Sequence, residues 1–203
     1  MKLRDSLLTV NPIFAATEIT MPGIAALRHE LDVASKLQEV SAYQAKLSVL
    51  RDRFGHRIAI LPEGRERMAR FNCFAYALGL WNHAEYIRLV VTNNDSAVIN
   101  SSTISEMLSE GVLAETDPNY ASANDIVVYF DNGRVTHAGV VGDKGLVRSK
   151  WGANEVHERA VWDVPATYGD VVRYFRKPAL ETVLHRFAPD RFKDTVPLHP
   201  QAI

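Results

Sequence analysis

Apolar positions along the chain follow two regimes. In the first quarter, Ile24, Leu27, Leu31, Ala34, Leu37, Tyr43, Leu47, Leu50 and Phe54 recur at three- and four-residue intervals and stop at Gly55. This spacing predicts one long helix or two helices broken near Ser41. Gly55 serves as C-cap, and Arg51 and Arg53 sit in the last turn, where positive charge is favourable. The stripe is near-heptad, so it allows a helix partner from another chain, but the chain's own core is the simpler acceptor. Residues 58–61 are a short apolar run ended by Pro62, and 63–67 are a charged connector. Residues 71–80 read as a helix capped by Asn72, with Phe74, Ala77 and Leu78 on a buried face. Residues 85–92 have strand composition, with a turn at 93–95. Thr103 and Glu106 have capping-box spacing, Ile104, Met107 and Leu108 share a face, and Gly111 stops that helix.

From residue 121 the pattern changes to short hydrophobic runs separated by turn residues. Residues 123–130 lead into a strand, 131–134 (Asp-Asn-Gly-Arg) form a tight hairpin turn, and 135–142 return. Further strands are expected at 146–150, 155–161 and 171–175. Closely spaced strands with Gly, Asp and Asn turns imply an antiparallel sheet or half-barrel, hence an α+β fold with the helices first. Leu180, Val183, Leu184 and Phe187 give a final amphipathic helix that covers the sheet or gates a cleft, followed by a proline-containing extended end. The expected organisation is 1–66 as an N-terminal arm with helix or helical hairpin, 67–178 as the α+β core, and 179–203 as a helix and tail.

Composition narrows the functional classes. Of 203 residues, 47% are hydrophobic and 23% charged, and the formal net charge is −1, so no general nucleic-acid surface is indicated. No run is long enough for membrane insertion. Residues 7–16 make a poor secretory segment, interrupted by Asn11 and Pro12, which favours a cytoplasmic protein or one delivered without a cleaved signal. A single cysteine excludes an intrachain disulfide and a cysteine-rich zinc site. Cys73, His137 and His157 lack zinc-ligand spacing, the glycines form no phosphate-cradling loop, and no carboxylate pair stands out for glycoside hydrolysis, so no cofactor is expected.

Cys73 is the residue that can carry covalent chemistry. In the first turn of a helix, free N–H groups and the dipole favour a thiolate. The competing reading is a small buried hydrophobe. A nucleophilic thiol also needs a base, and His137, beside the small Ala138 and Gly139, is the titratable residue in the middle of the strand pattern. His137 could equally be a strand histidine satisfied by a carbonyl.

Together, Asn-Cys-Phe-Ala-Tyr-Ala-Leu at 72–78, Asn-Asp-Ile-Val-Val-Tyr-Phe at 124–130 and Thr-His-Ala-Gly-Val-Val at 136–141 resemble the NlpC/P60 and CHAP-like branch of the papain-like cysteine hydrolases. Residues 149–152 (Ser-Lys-Trp-Gly), His157 and 168–176 suggest an atypical, poorly characterised bacterial group of it. The resemblance spans about 70–176 and implies Cys73 as nucleophile and His137 as general base. The third position departs from the pattern, because 146–150 supply no His, Asn or Gln. The next candidates to orient His137 are His157, narrowly preferred, and Glu155. The Cys73 backbone N–H would meet an oxyanion. Trp151 and Tyr76 are candidates for substrate stacking, Lys150 and Arg148 for attracting a carboxylate. The implied activity is amide hydrolysis by a peptidase, amidase or deamidase on a peptide or protein, with a bacterial effector or toxin as one setting. The alternative is an inactive binding module that uses its long helix as a partner interface. A working dyad requires Sγ beside a His137 nitrogen in an open groove; a packed-over thiol or an averted imidazole favours the module.

Overall fold

The computed structural model describes residues 22–61, 71–93, 99–152 and 154–187. The expected N-terminal arm, charged connector, turn after Asn93 and proline-containing end lie outside these residues.

The first apolar stripe forms two helices, α1 (Pro22–Ser35) and α2 (Val40–Phe54), with the break at 36–39, slightly before Ser41. Gly55 ends α2 at φ 69°, where a side chain would be strained, and its N–H returns to the Arg51 carbonyl. Leu27, Leu31, Ala34, Tyr43, Leu47 and Leu50 are all buried against the chain's own sheet, in one cluster with Val127, Tyr129, Val141 and Val147. Each such leucine contributes about 1.5–3 kcal/mol on burial. The stripe is thus used within the chain.

The sheet has seven antiparallel strands in the order β1-β6-β5-β4-β3-β7-β2. They are β1 (Ala59–Ile60), β2 (Glu115–Thr116), β3 (Ile126–Asp131), β4 (Arg134–Val141), β5 (Val147–Lys150), β6 (Val156–Arg159) and β7 (Val171–Phe175). The sheet is open, with two-residue strands at both edges, rather than a half-barrel. Asn132 and Gly133, at φ 48° and 76°, make the expected hairpin turn between β3 and β4.

On the sheet face away from α1 and α2 lie α3 (Cys73–Ala77), α5 (Ser101–Ser109) and α6 (Leu180–Phe187), whose buried residues join Ile126, Val128, Phe130, Val135, Ala138 and Val140. The last helix therefore covers the sheet, through Val183 and Leu184. Residues 84–93 correct the strand expectation, since they form helix α4 (Ala84–Asn93). Their β-branched composition is outweighed by an amphipathic helical arrangement with buried Tyr86 and an i,i+3 pair between Glu85 and Arg88. Helix α5 starts three residues earlier than the capping-box reading, because the Asn100 side chain accepts the Thr103 N–H and is the cap.

One irregularity determines what β4 presents to each face. Tyr129 opposes His137 and Phe130 opposes Val135, so Thr136 is an extra, bulged residue. Its hydroxyl bonds the carbonyls of Tyr129 and Tyr168, at 3.1 and 2.5 Å. Simple alternation would put Val135 and His137 on one face. The bulge leaves Val135 toward α3 and turns His137 toward α1 and α2.

Candidate functional site

Cys73 is the first residue of α3, as its sequence suggests. The Asn72 side chain accepts the N–H groups of Phe74 and Ala75, each at 3.0 Å, and its amide donates to the Ile99 carbonyl at 2.5 Å. This caps the short helix and ties it to the chain entering α5. The thiol is 9% exposed and packed in the cluster that contains Val128 and Ala138. Burial pushes it up to about 11, against the N–H groups of Ala138, Phe74 and Cys73 and the Lys150 ammonium, which all favour the thiolate. At neutral pH it is a thiol.

His137 is 1% exposed and lies on the other face. Its ring is stacked on Tyr168 at 3.8 Å and tilted against Tyr129 at 5.4 Å, and its Nε2 is buried without a hydrogen-bond partner. Burial, then Arg159 and His157, hold the imidazole well below its ordinary value, so it is neutral. No hydrogen bond joins Cys73 to His137 among the described residues. Sγ meets the backbone N–H of Ala138, the residue that follows the histidine. Tyr168 links the two sides electrostatically: burial chiefly raises its hydroxyl, and Cys73 adds to the effect.

The candidates for the third position separate. His157, in register with Ser149, shares the His137 face and lies within its electrostatic reach. Its Nε2, however, is hydrogen-bonded to the Tyr43 hydroxyl at 2.7 Å, and its ring is stacked on Trp151 at 4.4 Å. Burial, then Arg159, push His157 down to about 3. Glu155 is buried and lines a cavity with Val40, Gln44 and Ile60, beside α2 rather than α3. Neither is placed as an orienter in hydrogen bond to His137.

The residues expected to meet substrate have structural positions. Lys150 is buried, donates to the Asn154 carbonyl at 2.6 Å and lies over the Phe71 ring at 4.9 Å. Arg148 pairs with Glu158 at 2.6 Å. Trp151 is fully buried, and Tyr76 is stacked on Phe71 and tilted against Trp81, the three rings being in mutual contact. Sequence reasoning did not single out Arg159, Tyr168 and Tyr43, which surround the two histidines. The signal for Arg159 was present: in the strand Val-His-Glu-Arg, alternation places it on the His157 face.

Among the described residues, no three or more His, Cys, Asp and Glu side chains are grouped to hold a metal ion, and no helix is long and apolar enough to cross a membrane. No curated protein and no solved structure matches the chain at a significant level. One family model does match, described as a domain of unknown function (DUF7689), over residues 64–176. That span takes in every element from the cysteine helix to β7, and the chain belongs to this DUF7689 family.

Proposed function

We propose that this chain is a binding module on a papain-like α+β core, in which Cys73 is a structural thiol. The observation that carries the reading is where the two residues pack: His137 opposes Tyr129, a member of the cluster under α1 and α2, whereas Cys73 belongs to the cluster on the other side with Val128 and Ala138. A base must reach the proton it removes, and no hydrogen bond joins Cys73 to His137 among the described residues. The buried neutral thiol and the bonding of His157 to Tyr43 add support. The outer faces of α1 and α2 offer the partner surface, with Val33, Val40 and Val49 between 41 and 59% exposed. A peptide or protein partner suits such a helical face.

A second reading, favoured by a different observation, is a cysteine-dependent amide hydrolase of the NlpC/P60 and CHAP-like type. Three backbone N–H groups and one ammonium all act on Sγ in favour of the anion, and burial alone opposes them. An opening that wetted Sγ would leave a thiolate-stabilising set at a helix start. The two readings part under mild alkylation. Iodoacetamide at neutral pH, followed by intact mass, labels a structural Cys73 slowly and at the same rate in wild type and His137→Ala. Fast labelling of the native wild type that His137→Ala slows would establish the hydrolase reading instead.

A further inference from the structure

Strand β1 is an edge of the sheet, and among the described residues no strand pairs with its outer side. Its register fixes which backbone groups point outward. The Leu61 N–H donates to the Val156 carbonyl at 2.9 Å, and Ala59 opposes Glu158, so positions 59 and 61 form the hydrogen-bonded pairs of the antiparallel ladder. Ile60 lies between them, opposite His157, and its N–H and C=O therefore point away from β6. The run Ile58-Ala59-Ile60-Leu61 contains no charged residue and no proline, the residues that commonly protect an edge from pairing.

Helix α2 flanks this edge. Two hollows of about 220 and 450 Å³ share Gln44 and Ile60, and so follow one another along the gap between α2 and β1. The helix side is one stripe, Val40, Gln44, Leu47 and Arg51, at three- and four-residue spacing. The strand side is Ile58 and Ile60, which share a face. The two ends of the gap differ in charge. Arg51 lines the first hollow, and Arg57 is exposed at the approach to β1. Opposing them is Asp52, 3.5 Å from Arg51 in an exposed pair that offsets little. Arg53 is paired with Glu30. His56, in the same hollow, is neutral, since its Nε2 donates to the Leu47 carbonyl and its Nδ1 accepts the Ile58 N–H. At the other end the charged residue is Glu155, beside Val40. The gap is thus basic at the Ile58 end and acidic beyond Ile60.

We propose that this gap takes up an extended peptide segment of a partner protein, which joins the sheet as a strand antiparallel to β1, with an apolar side chain over Ile60 and a carboxylate beside Arg51. An added strand runs about 4.8 Å from β1 and presents alternate side chains to α2. The antiparallel direction brings the C-terminal side of the peptide to the Ile58 end, where the arginines are. This site rests on the binding-module reading, and Val40 is the residue that it shares with the outer helical surface.

The probe is a phage-displayed library of random linear peptides about eight residues long, enough for one strand and its flanks, selected on the immobilised full chain. Enriched peptides are synthesised with a fluorophore and titrated by anisotropy. They are expected to carry an apolar residue followed, toward the C-terminus, by Asp or Glu. Ile60→Pro removes the outward donor, leaves the bonds to β6, and should raise Kd about tenfold, the scale of one lost backbone hydrogen bond. Arg51→Gln should weaken the acidic peptides and leave their Asn or Gln counterparts unaffected. Affinity untouched by Ile60→Pro overturns the added strand. So does a library without enriched peptides, which leaves the outer helical faces to a folded partner. Affinity lost in Val49→Asp but kept in Ile60→Pro also overturns it, and retains the binding-module reading with the peptide on the outer face of α2. Should Ile60→Pro not fold, Gln44→Trp, at an exposed position of the same gap, blocks it and must raise Kd likewise.

Discussion

His137 lies directly opposite Tyr129 across β3 and β4, and the pair faces α1 and α2, while Cys73 belongs to the core cluster on the other side of the sheet, with Val128 and Ala138. The proton acceptor that a thiol hydrolase would need therefore sits in a buried aromatic layer, stacked on Tyr168. The consequences can be measured at several positions.

Asn72 fixes α3 through two N–H bonds and one amide-to-carbonyl bond. Asn72→Ala is expected to destabilise the fold by about 1–2 kcal/mol, the usual effect of losing a helix cap, and Asn72→Asp by less, since it keeps the acceptor. Urea unfolding of both variants checks this. Equal stability of Asn72→Ala and wild type would mean the cap contributes nothing.

Gly139 marks a close approach, and the partner there is β5. A Cβ at this position would stand 2.7 Å from the Arg148 carbonyl oxygen and 2.9 Å from Val147 Cγ1. Gly139→Ala must push β5 from β4 and is expected to cost about 1–3 kcal/mol, as for overpacking in a core. A thermal midpoint unchanged from wild type would show that the strands have slack.

His137 and His157 are both held below the ordinary imidazole value, His157 to about 3. Between that value and about 6.5 the unfolded chain binds more protons than the folded one, so stability is full above about 6.5 and falls as pH drops. Urea midpoints at pH 7, 6 and 5 should decline, with His157→Gln declining less steeply. The expected slope is about 1 kcal/mol per pH unit per histidine, within the linkage limit. A flat profile from pH 7 to 5 would show that these histidines do not titrate differently on folding.

Much of the architecture was legible because its signals are local. The Asn132-Gly133 turn, the Gly55 cap and the stripe from Leu27 to Leu50 each depend on one or two residues and their spacing. Helix α4 was not legible from composition, since Ile87 and Val90 suit a strand as well as the face of a helix. The site was half legible. Cys73 was placed on its helix and His137 on its strand, but which face His137 takes depends on the Thr136 bulge. A bulge inserts one residue without a distinctive sequence, and it reverses the side to which everything on one flank points. The surroundings of His157 were hidden for another reason: Tyr43 comes from 114 residues earlier, a distance that no local pattern spans.

The most direct measurement is the pH dependence of the Cys73 alkylation rate in the native protein. A thiol at about 11 gives a rate constant that climbs tenfold per pH unit from pH 6 to 9, without a plateau, and that His137→Ala leaves unchanged. A plateau reached by about pH 7 and abolished in His137→Ala would contradict the structural-thiol account and make Cys73 a base-activated nucleophile.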